Sequence, residues 1–403
     1  MGDTRSARGP IAFVTPRYGA DVVGGSEAVS REAAHGLAAR GWEVDVLTTR
    51  ARDHYTWAPA YPAGATEIDG VTVRRFDLVN EQGRYPGQPD RGELEHRIAH
   101  GIGLDEGQEQ AWVNGLFRVP DLYHHLVANR AHYAAVVFSP YLFWTTLVGV
   151  EVAPERSIVM PCLHDEGYAR LPIVARNLSA AARAWYLAAP EQALAERLGC
   201  APELGDLTGA GVDVPEHYDP EGFRTRHGLS RPFLLYAGRR EEGKGWGVLL
   251  DAFAEAARRG ADLDLVTMGV GEVVAPDGLD DRVHDLGFLP DEEAPSAFAA
   301  AAAYVQPSAN ESFSRTVMES WLAGTPVLAS GASEVVSWHC DRSGAGVVWN
   351  GVEELTAAIE AVATSPAALA ALAVPGRQYV LDNYTWPVVL DNMESSLEKL
   401  CAG

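Results

Sequence analysis

Residues 11–49 read IAFVTPRYGADVVGGSEAVSREAAHGLAARGWEVDVLTT. The run Ile11-Ala-Phe-Val-Thr15 is short and apolar without polar alternation, the pattern of a strand buried on both faces. Glu43-Val-Asp-Val-Leu-Thr-Thr49 reads as another strand. Between them Ala28, Val29, Ala33, Leu37 and Ala38 recur at helical spacing, and Gly41 stands where a helix should stop. A strand, a helix and a strand in this order imply parallel pairing through a right-handed crossover.

The same alternation continues outward. Strands are expected at 71–76, 134–138, 157–160 and 184–188, while the polar stretch 80–129 reads as an insertion with some helix. Residues 201–231 are rich in Pro and Gly and read as a linker. A second series then begins, with strands expected at 233–237, 263–268, 303–306, 326–329 and 346–349 and helices at 246–258 and 352–363. The fold class is therefore α/β, with two doubly wound Rossmann-like domains, 1–205 and 206–385, facing across a cleft. Ligands in such sheets sit beyond the carboxyl ends of the strands.

Composition narrows the partners. The 403 residues allow two to three domains, and 40 Gly with 24 Pro lack the period of a fibrous chain. Asp and Glu outnumber Lys and Arg by 55 to 32, a net charge of −23 that repels nucleic acid and anionic lipid. The longest apolar stretch, 297–305, is far short of the roughly 20 residues of a membrane span. Cys162, Cys200, Cys340 and Cys401 lack CxxC spacing and read as reduced thiols, and the apolar run after the first ten residues is too short for a secretory segment. A cytoplasmic protein without metal or cofactor is expected.

Four loops stand at expected strand ends. Gly24 and Gly25, before a helix, let backbone approach a ligand at a helix N-terminus. Gly238-Arg239-Arg240-Glu-Glu-Gly243-Lys244-Gly245 follows strand 233–237. Its cations suit a diphosphate, and each close contact with an anion is worth up to about 4 kcal/mol at an effective dielectric near 20. Lysine occurs only at Lys244 and Lys399, so its presence in this turn is not a matter of abundance. Glu311 and Glu319 flank the start of a helix after strand 303–306, placed to accept hydroxyl hydrogen bonds around a phosphate. His164-Asp165-Glu166 follows strand 157–160. Other signatures fail. Gly209-Ala-Gly211 and Gly269-Val-Gly271 lack the third glycine of a dinucleotide fingerprint, and Lys244 precedes Gly245 rather than the Ser or Thr of a P-loop. Asp262-Leu-Asp264 sits at the amino end of its strand, away from the expected ligand edge.

Taken in order, the GGSE loop, the His-Asp after a mid-domain strand, Gly211-Val-Asp213, GR-x4-KG, E-x7-E, Gly324-Thr-Pro326 and a last helix after Tyr384-Thr-Trp386 resemble the retaining glycosyltransferases of family 4, with the GT-B fold. The resemblance implies that Arg239 and Lys244, in the turn opened by Gly238, grip the diphosphate of a nucleotide-sugar. It implies that Glu319 binds the ribose and Glu311 the transferred sugar. Backbone N–H groups of Phe313 and Ser314 would meet phosphate, His164 would orient the sugar, and Gly24 and Gly25 would close over the phosphates. The helix near 386–403 would pack back on the first domain. The chain departs from the common EGFG with Glu311-Ser-Phe-Ser314, has Arg315 in place of an apolar residue, and has Gly331-Ala-Ser-Glu334 at a later turn. The implied reaction moves a hexosyl group to a hydroxyl of a small-molecule or glycan acceptor without a metal. The acceptor is expected on the first domain, near Trp112, Tyr141 and Phe143. A nucleotide-sugar epimerase or phosphorylase, and an inactive sugar-nucleotide-binding protein, are the alternatives. Base, sugar, acceptor and oligomeric state are not encoded in these residues.

Overall fold

The computed structural model describes residues 9–79 and 90–402. The chain forms two units, Met1–Gly211 with Trp386–Gly403, and Val212–Thr385.

The sheet of the first unit comprises β1 (Ile11–Val14), β2 (Val44–Thr49), β3 (Gly64–Ile68), β4 (Val71–Phe76), β5 (Ala135–Phe138), β6 (Ser157–Val159), β7 (Arg183–Tyr186) and β8 (Gly205–Leu207). Its order is β3-β4-β2-β1-β5-β6-β7-β8, parallel except where β3 meets β4. Ile11 pairs with both Val44 and Ala135, so β1 is central, and all four of its residues are buried. The chain turns one way from β1 to β2 and the other way to β5, which makes the carboxyl end of β1 a topological switch point.

The β8 pairing corrects the expected boundary. Gly205 lies beside Ala184, so the first unit runs on to Gly211 instead of ending at 205. The chain returns at that point, since a Cβ on Gly211 would lie 2.2 Å from the Trp386 indole. The final helix, Trp386–Ala402, is bonded to the first sheet. Trp185 Nε1 donates to Ser396 Oγ (2.8 Å), which donates to Asp206 Oδ2 (2.6 Å), while Trp42 Nε1 donates to Glu394 (2.9 Å). Of the stretch 80–129, residues 80–89 lie outside the described residues. The remainder forms helices Arg91–Ala99, Glu106–Asn114 and Pro120–Asn129, whose Leu94, Trp112 and Leu122 join the core.

The second unit is an all-parallel sheet of β9 (Phe233–Ala237), β10 (Asp264–Met268), β11 (Val283–Asp285), β12 (Ala303–Gln306), β13 (Val327–Ser330) and β14 (Val347–Trp349), in the order β11-β10-β9-β12-β13-β14. Leu249 and Phe253 of helix Trp246–Arg258 pack with Leu355, Ile359 and Val362 of helix Gly351–Thr364. Each such side chain contributes about 1.5–3 kcal/mol by leaving water. The switch point here lies between β9 and β12, where the GR-x4-KG and E-x7-E loops stand. Among the described residues no single helix is long and apolar enough to cross a membrane, and the four cysteines are free.

Candidate active site

Packing between glycines sets the two loops of the second unit. A Cβ on Gly269 would lie 2.2 Å from the Gly238 carbonyl oxygen, so the turns after β9 and β10 touch backbone to backbone. Arg240 locks them, since Nε donates to Thr267 Oγ1 (2.9 Å), Nη1 to the Gly271 carbonyl (2.9 Å) and Nη2 to Asp285. Arg239, beside it, is 40% exposed and pairs with the exposed Glu241 at 3.0 Å. An exposed pair of this kind contributes at most about 1 kcal/mol, so Arg239 can leave it for a stronger anion.

Gly245 closes the turn in the left-handed region (φ 71°), and a Cβ there would lie 2.3 Å from the Pro307 carbonyl oxygen. This contact presses the β9 loop onto the β12 loop. It brings Lys244 Nζ to 2.8 Å from Glu311 Oε1 and 3.5 Å from the Asn310 carbonyl. An ammonium has three N–H donors, which leaves one for an incoming oxygen.

Two buried tyrosines carry the floor between these loops. Tyr236 donates to the Arg239 carbonyl (2.5 Å) and Tyr304 to Thr316 Oγ1 (2.7 Å). Burial pushes both phenols well above their ordinary range. Glu311 raises them further, and Glu319 acts on Tyr304 in the same sense. Glu319 is itself pushed up, by burial first, while Arg315 lowers it and Asp213 and Asp291 raise it. Lys244 and Glu311 thus meet beyond the carboxyl ends of β9 and β12, with Arg239 in the loop of Lys244 and Glu319 in the helix that follows Glu311.

The helix Arg315–Leu322 starts from Ser314, which adopts a left-handed φ of 70°. Its buried hydroxyl accepts from Gln306 Nε2 at 2.6 Å, turned to the end of β12, and this accounts for a serine at the place of the usual glycine. Among the described residues the backbone N–H groups of Phe313 and Ser314 have no acceptor. The Phe313 ring is buried against Tyr384 (centroids 4.9 Å) and His339 (5.1 Å), and His339 Nδ1 lies 3.0 Å from Tyr379 Oη.

The first unit carries the remaining candidates. Gly24 precedes the helix Gly25–Ala39, where Glu27 forms a buried ion pair with Arg17. A Cβ on Gly24 would strike the Glu27 carboxylate, whereas one on Gly25 meets nothing within 4 Å. His164 Nδ1 lies 3.6 Å from Glu166, whose carboxylate also accepts from Tyr141 (2.7 Å). Glu191, which no motif marks, accepts the N–H of Leu163 (2.7 Å) and of Leu187 (2.6 Å), tying the His164 loop to the end of β7. Burial pushes its carboxyl up to about 8 against the pull of these N–H groups. The one available signal was an acidic residue in the first turn of a helix after a strand. The second carboxylate of Asp262-Leu-Asp264 is structural, being buried and engaged by Arg282 (2.9 Å) and His284 (3.1 Å).

Residues 231–365, which hold both loops, match the family described as glycosyl transferases group 1. The match covers 135 of the 403 residues and lies within the second unit. The whole chain is similar to sucrose-phosphate synthase from Thermosynechococcus elongatus, with a TM-score of 0.74 at 20% identity over 98% of this chain and 100% of that one. This likeness is one of fold, and it supports the GT-B architecture. A D-inositol 3-phosphate glycosyltransferase of Pseudarthrobacter chlorophenolicus is 28% identical over 77% of this chain and 75% of its own length. A 2-deoxystreptamine glucosyltransferase of Streptomyces kanamyceticus is 31% identical over 47% of this chain. The chain spans about half the length of that relative, 53%. Arg239, Lys244, Glu311 and Glu319 lie within the matched residues, and Gly24, Gly25 and His164 lie outside them.

Proposed function

We propose that the protein is a retaining, metal-independent glycosyltransferase moving a hexosyl group from a nucleoside diphosphate sugar to an acceptor hydroxyl. The observation that carries this reading is the approach of Lys244 Nζ to Glu311 Oε1 at 2.8 Å, from loops 67 residues apart in sequence. One cation for a leaving diphosphate and one carboxylate for sugar hydroxyls then share a site. Arg239 and the Phe313 and Ser314 N–H groups add positive potential where charge develops on the diphosphate, and preorganised donors of this kind supply most of the stabilisation in such catalysis. Glu319, whose carboxylate makes no hydrogen bond or ion pair among the described residues, is suited to the ribose hydroxyls. The acceptor hydroxyl attacks from the face the diphosphate leaves, and its proton passes to a phosphate oxygen, so no carboxylate base is required.

Incubation with UDP-, GDP- and dTDP-sugars tests this. Nucleoside diphosphate is expected to appear at the same rate with and without EDTA, and the product to keep the donor's anomeric configuration by proton NMR. Lys244→Ala is expected to lower turnover by about 100-fold, the scale on which removing one charge-stabilising donor acts. Turnover within threefold of the unaltered protein would remove Lys244 from the mechanism.

A further inference from the structure

The first unit contains a cavity of about 250 Å³ at the carboxyl ends of the strands flanking its switch point. Pro16 follows β1, Thr49 ends β2, and Phe143 and Thr145 follow β5. Ligands of doubly wound sheets occupy this position. The wall is aromatic, made mainly by Trp57, Trp112, Phe117, Phe143, Trp144 and Tyr168. Trp57 stacks on Phe117 (centroids 4.9 Å, 32° between planes) and meets Phe143 edge-on (5.6 Å, 65°). It does so from a left-handed φ of 54°, which a residue this bulky adopts only where its surroundings enforce it. Strain of this kind collects at ligand clamps.

Two polar groups in the wall have no partner among the described residues. Trp112 Nε1 and Thr145 Oγ1 are buried and unbonded, although such groups are nearly always satisfied. Charge is scarce. The guanidinium of Arg91 in the wall already pairs with Glu95 (2.8 Å) and donates to the Gly115 carbonyl (2.8 Å), and Glu95 would repel a phosphate. Of the aromatics expected on the acceptor side, Trp112 and Phe143 line the cavity, whereas Tyr141 is spent on Glu166. Tyr168 stands four residues after His164 on the same loop.

We infer that this cavity seats the acceptor, and that the acceptor is a hydroxylated aromatic or fused-ring molecule rather than a polyol phosphate; the inference rests on the transferase reading above. Flat aryl rings gain from stacking against Trp57, Phe117 and Phe143. The whole chain is titrated calorimetrically with 2-naphthol and, separately, with myo-inositol 1-phosphate. Naphthol is expected to bind and the polyol phosphate is not. Phe143→Ala is expected to weaken naphthol binding about tenfold, near the upper value of one aromatic contact. Phe117→Leu, a smaller change, serves if Phe143→Ala melts early. With the preferred nucleotide-sugar present, a naphthyl glycoside is expected, and Phe143→Ala raises KM for naphthol more than it lowers kcat. Binding of the polyol phosphate in preference to naphthol overturns the inference, as does equal naphthol affinity in a folded Phe143→Ala. Transfer to a polyol while naphthol is merely bound also overturns it. Failure of every nucleotide-sugar to bind or turn over is a different result, which sinks the transferase reading while naphthol titration still reports the cavity.

Discussion

At Ser314 two effects of similar size oppose each other. A non-glycine residue in the left-handed region costs about 1–2 kcal/mol, which glycine would recover. The hydroxyl accepts from Gln306 Nε2 at 2.6 Å, and leaving that buried donor unpaired costs about 1–3 kcal/mol. Ser314→Gly recovers the first and loses the second, for a net destabilisation of about 1 kcal/mol. Ser314→Ala loses the bond and keeps the strain, so it should be worse by about a further 1 kcal/mol. Urea unfolding ranks the pair, and an alanine variant more stable than the glycine one would mean that the backbone relaxes. His339, which supports Phe313 from below, gives a second test. Burial pushes its pKa from 6.5 down to about 3, so between these values the unfolded chain binds a proton the folded chain refuses. Stability present above pH 6.5 is therefore lost progressively as the pH falls toward 3. His339→Phe should show a smaller fall in melting temperature from pH 7 to pH 5 than the unaltered protein. Equal falls would show that another group carries the acid sensitivity.

Elements made of buried apolar runs were legible in the sequence because burial on both faces forces such composition, as in β1, β9 and β12. β3 and β8 were not, since Gly-Ala-Thr-Glu-Ile is exposed at an edge and Gly-Asp-Leu is too short to carry a pattern. Both exist because a neighbouring strand offers an open edge. The candidate site divides in the same way. Arg239, Lys244, Glu311 and Glu319 are announced by charge and spacing. The bond from Glu191 to Leu163 and the packing of Trp57 on Phe117 and Phe143 join segments distant in sequence, which local patterns record poorly. Gly245 lies on this divide, legible as a turn glycine but not as the point where one loop rests on another. Gly245→Ala would force a Cβ to 2.3 Å from the Pro307 carbonyl at a φ of 71°. The two loops must then part, carrying Lys244 from Glu311. Nucleoside diphosphate affinity should fall about tenfold or more, because displacement of about 1 Å removes most of a positioned contact. An unchanged affinity by titration would show that the loops bind independently.

Across the molecule, 55 acidic groups face 32 basic ones. Many of the arginines are held in short ion pairs, such as Arg40 with Asp391 at 2.6 Å and Arg259 with Glu255 at 2.7 Å. Screening acts differently on the two populations. An exposed pair in contact also weakens with salt, but it has at most about 1 kcal/mol to lose, whereas repulsion among the excess negative charges acts over distances beyond the Debye length and is largely removed. The excess is −23, and each exposed pair contributes at most about 1 kcal/mol. Relief of repulsion should therefore win, and raising sodium chloride from about 20 to about 500 mM should raise the melting temperature by several degrees. The same salt should weaken nucleoside diphosphate binding, because the exposed Arg239 and partly exposed Lys244 act on a polyanion through solvent. Calorimetry and titration at the two salt concentrations separate these effects. If melting temperature and affinity move in the same direction, stability and donor binding draw on one set of charges, and the separation of a local cationic site from an acidic body is wrong.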